Sequence, residues 1–167
     1  MKHLYIFLIM ISSIVELVKC VPSNPKNELA PLVNKYVEYW NTGEFEGIEE
    51  VLHSDFELRM TPKYDPEQGI DLFKETITKW RSAYPDFHLE VKEVFFTENQ
   101  AAGLWEITAT NSGIGSHPPT GKSIKVTGMS ILHFSDGKIK DEWIASNNSL
   151  WLRQLGFKLV SPFEDKE

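Results

Sequence analysis

The chain has 167 residues, enough for one domain with a full hydrophobic core and too few for two. With 41% hydrophobic and 25% charged residues it has the composition of a folded globular protein, not a disordered one. A net charge of −7 at neutral pH, with no cluster of Lys and Arg, offers no face for phosphates; nucleic acid is not an expected partner, and anionic membrane surfaces are disfavoured.

Residues 1–20 read as a secretory signal segment. Lys2 supplies a small positive start, and residues 4–15 form an apolar run broken only by Ser12 and Ser13. That run is shorter than the roughly 20 residues of a membrane span. Val18 and Cys20 suit a cleavage site that would begin the mature chain at Val21, which predicts a secreted or extracytoplasmic protein. The alternative is a lipid anchor on Cys20, with Leu17 three residues before it and Lys19 an ill-fitting neighbour. Cys20 is the sole cysteine, so no disulfide forms within the chain.

Residues 21–26, with Pro22 and Pro25, are expected to be a linker, residues 27–160 the domain and residues 161–167 a tail. From Asn27 the pattern turns helical: Leu29, Leu32, Val33, Tyr36, Val37 and Trp40 make one apolar stripe, stopped at Gly43. A short helix over 45–52 and a strand over 56–60 follow, then a loop over 61–68. A third helix spans 70–84 and ends at Pro85. The rest is β. Phe87, Leu89 and Val91 alternate with polar residues, and a second strand covers 104–110. Residues 113–122 are a glycine- and proline-rich loop. Strands over 123–134 and 138–147 then form a hairpin around Asp136-Gly137, a dipeptide that readily takes positive φ. A last helix over 149–155 stops at Gly156. Helices followed by antiparallel strands give an α+β fold, helices packed on one face of a curved sheet.

With Asp136 and Gly137 as the turn, simple two-residue pairing sets Phe134 opposite Ile139, Leu132 opposite Asp141 and Ser130 opposite Trp143. That face is mostly apolar, with Ser130, Asp141 and Asn147 embedded in it. The other carries Lys125, His133, Lys140 and Glu142, whose joint burial would be costly. The first face is therefore assigned to the interior. An aromatic and aliphatic hollow with a few converging polar groups suits a small hydrophobic ligand, and equally suits a plain core.

Six fragments now stand in order: Trp40-Asn41-Thr42-Gly43, Tyr84-Pro85-Asp86-Phe87, Pro118-Pro119-Thr120-Gly121-Lys122, Asp136-Gly137-Lys138-Ile139, Glu142-Trp143 and Gln154-Leu155-Gly156. Together they resemble the SnoaL-like polyketide cyclase (ester cyclase) family, over about residues 29–156. The resemblance implies a cone-shaped α+β barrel of the ketosteroid-isomerase and nuclear-transport-factor-2-like kind, often a homodimer through its sheet. It implies ring closure by intramolecular aldol condensation, or related isomerase or lyase chemistry. An acidic residue would act as acid and base, with no cofactor and no metal. The chain departs from the pattern twice: Asn147 stands where the family commonly has Asp after Trp143, and Asn111 where it often has His.

Asp141 is then the carboxylate left on the expected inner face, with burial raising its affinity for a proton, and Asn147 or Ser130 the donor to an enolate oxygen. Tyr36, Trp40, Trp105 and Trp143 are candidate ligand-lining aromatics, and Asn111 a further polar candidate. His88, His117 and His133 read as surface residues. His53-Ser54-Asp55 and Asp65-Pro66-Glu67 lack the further ligands a metal needs, and no nucleophile or phosphate-loop motif is present. Two other readings stay open: a non-catalytic ligand-binding module, and a module that dimerises through an outer face bearing Met129, Ile131 and Ile144. Asn147-Asn148-Ser149 is also a glycosylation sequon, incompatible with a buried Asn147.

Overall fold

A computed structural model describes residues 24–60, 66–158 and 160. The signal segment with both readings of Cys20, the linker up to residue 23 and the tail 161–167 lie outside the described residues.

Helix α1 (Pro25–Thr42) begins two residues before the apolar stripe suggested. Asn24 caps it by accepting from the Lys26 backbone N–H at 3.1 Å, and Pro25 occupies the first turn, where a missing N–H is no loss. The expected linker therefore ends at Asn24. Gly43, at φ 72°, closes the helix by donating its backbone N–H to Tyr39. One turn of helix, α2 (Ile48–Val51), leads into β1 (Leu52–Met60). A two-residue β2 (Glu67–Gln68) and helix α3 (Ile70–Ala83) follow. Then come β3 (His88–Phe96), β4 (Gln100–Thr110), β5 (Ser123–Ser135), β6 (Lys138–Ser146) and helix α4 (Asn148–Leu155).

Among the described residues the sheet has the order β2-β1-β6-β5-β4-β3. The last four strands are antiparallel neighbours, as the alternation predicts. The N-terminal β1, however, lies parallel to β6, because it enters the sheet at the end where the Asp136-Gly137 turn sits: Leu52 pairs with Ile139. The sheet is thus mixed and open, not a wholly antiparallel barrel. The α+β plan holds. Buried residues of α1, α3 and α4 join one face of the sheet in a single core containing Tyr36, Trp40, Phe56, Phe73, Trp105 and Trp151.

One irregularity decides which residues face that core. Phe134 pairs with Ile139 as expected, yet His133 pairs with Asp141, so Lys140 is an extra residue in β6. Beyond this bulge the side-chain period is shifted by one, and every later residue of β6 changes face. Leu132 stands opposite Glu142 and Ile131 opposite Trp143. Glu142 is 5% exposed and Trp143 50% exposed, the reverse of the sequence expectation. The bulge is tied down: Lys140 Nζ donates to the Asp55 carbonyl at 3.1 Å and lies 3.4 Å from its carboxylate. β5 itself is regular, with Ile124, Val126, Ser130 and Leu132 buried.

Gly128 of β5 lets the Trp105 ring lie directly on the backbone; a Cβ there would come within 2.1 Å of the indole. Gly128→Ala is predicted to destabilise the fold by about 1–3 kcal/mol, the usual range for overpacking, with a changed Trp emission spectrum. Chemical denaturation followed by fluorescence checks both.

Candidate functional site

Between the helices and the sheet lies a cavity of about 200 Å³. α1 contributes Val33, Tyr36, Val37 and Trp40; the sheet contributes Leu89, Val91, Trp105, Ile107, Ser130, Leu132, Glu142 and Ile144; Trp80 and Trp151 close one side. The α1 residues recur at three- and four-residue steps, which brings Tyr36 and Trp40 onto the same inward stripe. The walls are almost wholly apolar. Among the described residues that line the cavity, Glu142 is the one that carries a charge.

The Glu142 carboxyl is embedded in hydroxyl donors. Tyr36 Oη donates to its Oε2 at 2.5 Å. Ser130 donates to it as well, and is itself oriented by Trp105, whose indole Nε1–H donates to Ser130 Oγ at 2.8 Å. Accepting the indole hydrogen leaves the Ser130 proton for the carboxylate. Tyr36 is held by stacking on Phe73, centroids 5.2 Å apart, with Phe56 tilted against it at 6.1 Å.

Burial outweighs those donors. Loss of water pushes the Glu142 pKa from the ordinary 4.5 up to about 7, while the Ser130 and Tyr36 hydroxyls pull it back down. Tyr36 moves well above its usual value, first through burial and then through the adjacent Glu142 charge, so it stays a proton donor at physiological pH. A carboxyl poised near neutrality in an apolar hollow can both take and return a proton.

The sequence candidates divide sharply. Tyr36, Trp40, Trp105 and Ser130 line the cavity. Asp141 does not: it points to the outer face, 2.6 Å from His133 Nδ1, because the bulge turns it outward. Trp143 leaves the interior for the same reason and lies under the Arg59 guanidinium, 5.2 Å from its centroid. Ile144, expected outside, lines the cavity. Asn147 is an exposed helix cap, its Oδ1 accepting from the Leu150 backbone N–H at 3.0 Å. Asn111 is fully buried, but it ties loops together: Nδ2 donates to the Ala83 carbonyl, and Oδ1 accepts from both the backbone and the hydroxyl of Thr120. Sequence reasoning missed Glu142 entirely, having placed it on the polar face. Among the described residues no three His, Cys, Asp or Glu side chains converge as a metal site.

Helices laid over one face of a mixed sheet, with a buried carboxyl in an aromatic hollow, define a class of small α+β proteins built around an interior cavity. Within it, this chain belongs to the SnoaL-like polyketide cyclase family, whose model matches residues 30–155. It is 29% identical over 140 residues to the aklanonic acid methyl ester cyclase DnrD of Streptomyces peucetius, covering 78% of this chain and 92% of that one. Among solved structures it is similar to a protein of Bacillus cereus described as a polyketide cyclase, with a TM-score of 0.65 and 25% identity over 77% of this chain and 80% of that one. TsrD from Streptomyces laurentii shares the fold with a TM-score of 0.70 at 21% identity, over 80% of this chain and 98% of that one.

The raised Glu142 pKa has a signed consequence for stability. Below about 4.5 the carboxyl is protonated in folded and unfolded chains alike, and costs nothing; as pH rises to about 7 the unfolded chain ionises first, so stability falls. The shift corresponds to about 3 kcal/mol. Glu142→Gln is therefore expected to gain stability relative to the native chain between about pH 5 and about pH 8, by up to that amount. Parallel denaturation curves across this range would contradict the assignment.

Proposed function

We propose that the protein catalyses cofactor-independent proton transfer on a hydrophobic carbonyl compound, closing or isomerising a ring, with Glu142 as the acid and base. The observation that carries this reading is the Glu142 carboxyl: the sole charge among the described residues that line the apolar cavity, hydrogen-bonded to Tyr36 at 2.5 Å and poised near pH 7. The relative named for its action on aklanonic acid methyl ester supports ring closure as the reaction type.

The step follows from where charge moves. Ionised Glu142 removes the proton α to a carbonyl, and the C–H electron pair becomes an enolate. As the carboxylate is neutralised, the Tyr36 and Ser130 hydroxyls lose their charged acceptor, and the new negative charge lies on the substrate oxygen towards which they can turn. In ring closure the enolate carbon attacks a second carbonyl of the same molecule. A C–C bond forms, and protonated Glu142 returns its proton to the resulting alkoxide. Proton and electrons balance without a co-reactant. Trp105 acts through Ser130 as a positioning residue.

A purely ligand-binding protein is the second reading. It is favoured by one observation: Asn147, at the position where the family commonly has Asp, has its side-chain oxygen engaged in capping α4.

Incorporation of solvent deuterium at the α-carbon of β-tetralone, followed by NMR, separates the two. The catalytic reading predicts exchange that rises with pH through about 7, falls at least ~100-fold in Glu142→Gln and falls less in Tyr36→Phe. Asp141→Asn should exchange at the native rate. Native-rate exchange in Glu142→Gln, or its loss in Asp141→Asn, would overturn the assignment.

A further inference from the structure

The inner cavity shares four lining residues, Met60, Trp80, Asn148 and Trp151, with a wider cleft of about 780 Å³ on the protein's outside. Resting on the reading of the inner cavity as the reaction site, we infer that the two spaces are one binding site for an elongated substrate. Its reacting carbonyl end lies beside Glu142, and an apolar chain runs past Trp80 and Trp151 into a second subsite between α3, α4 and residues 114–117. The shared residues do not seal the cavity. Asn148 is exposed and Met60 and Trp80 are half-buried, whereas Glu142 and its donors Tyr36 and Ser130 are buried. The lining itself leads outward. Glu142, Ile144 and Ser146 follow one another on the inner face of β6, which passes into α4, and α4 brings Asn148 and Trp151 to where the spaces meet. Volume points the same way. Small-molecule sites usually occupy roughly 300–1,000 Å³; the inner cavity, at about 200 Å³, falls short of that range and the cleft lies within it.

The cleft is lined for an apolar chain. Leu72 of α3 and Leu152 and Leu155 of α4 border it beside the two indoles, and Ile114 stands at its rim. Ile114 is 82% exposed and Leu152 42% exposed, apolar surface that an occupant of the cleft would remove from water. The exposure of Ile114 does not come from a loose loop. Ser82 Oγ donates to the Ile114 carbonyl at 2.9 Å, and the Gly113 backbone N–H donates to the Ala83 carbonyl at 3.1 Å. Glycine on either side allows this close seat: a Cβ on Gly113 would lie 1.9 Å from the Ser82 carbonyl oxygen, and one on Gly115 2.7 Å from the Ala83 Cβ. Further along, His117 also lines the cleft and packs edge to face against Phe157, centroids 5.5 Å apart. The loop backbone is thus anchored on the end of α3, with an isoleucine held at the edge of the cleft.

Trp80 and Trp151 line both spaces, so occupancy is readable by fluorescence without any turnover. The intact protein would be titrated with straight-chain methyl ketones of seven, nine, eleven and thirteen carbons. Affinity is expected to rise along the whole series, the thirteen-carbon ketone binding at least ~10-fold more tightly than the seven-carbon one, since each buried methylene strengthens binding by up to about fourfold. Leu152→Asp and Ile114→Asp, both at exposed positions, should leave the seven-carbon ketone within about twofold of its native affinity and weaken the thirteen-carbon ketone at least ~10-fold. An affinity that stays level beyond seven carbons, aspartate variants that weaken both ketones equally or neither, or no saturable binding of any ketone would overturn the inference. Glu142-dependent exchange of β-tetralone alongside a level ketone series would overturn this inference alone. A rising series that both aspartates flatten, without that exchange, would count against the catalytic reading alone.

Discussion

One extra residue in one strand determines what the interior of this protein can do. Without Lys140 as a bulge, β6 would present Asp141 and Trp143 to the helices and turn Glu142 to solvent. With it, a carboxyl is forced beneath Tyr36 and among aromatic walls, where its charged form is disfavoured. The bulge is stabilised from outside the cavity, by the Lys140 contacts to Asp55 on the neighbouring parallel strand. The parallel pairing of β1 with β6 and the inward turn of Glu142 are thus parts of one arrangement: β1 changes register over the same interval, between Leu52 and Glu57.

Around that carboxyl each structural layer contributes a separate element of control. α1 supplies the tyrosine that donates to it, and stacking on Phe73 restricts where that ring can go. β4 supplies Trp105, whose close approach to Gly128 fixes the indole and, through its N–H, the direction of the Ser130 hydroxyl. α3 and α4 supply Trp80 and Trp151 to the lining. No buried side-chain nitrogen or oxygen among the described residues is left without a partner, so the polar groups in the cavity are held in defined orientations. Preorganised donors of this kind gain strength as water is excluded.

Much of the fold could be read from the chain. The stripe from Leu29 to Trp40, the alternation along β5 and the Asp136-Gly137 turn each reflect a local rule, and each stands at its expected place. Tyr36, Trp40, Trp105 and Ser130 were legible for the same reason: helix and strand periods set their direction without help from distant residues. The acid was not legible. Its direction depends on a bulge, which a count of alternating residues cannot see, and on anchoring by Asp55, 85 positions away in sequence. The argument that burying several charges together is costly was sound for Lys125 and His133. It failed for Glu142, which is buried alone and meets the cost by a raised pKa and two hydroxyl donors. Asn147 and Asn111 show the opposite error: both stand at positions suggestive of chemistry, and both are engaged in holding backbone.

Membership of the SnoaL-like family fixes the architecture, while the chemistry depends on the groups inside the cavity. The whole functional account depends on the environment of the Glu142 carboxyl. Carbon-13 NMR of the side-chain carboxyls in uniformly glutamate-labelled protein, with Glu142→Gln used to assign the resonance, tests this most directly. The account predicts one glutamate carboxyl titrating at about 7, absent from the variant. A Glu142 carboxyl titrating near the ordinary 4.5 would contradict it.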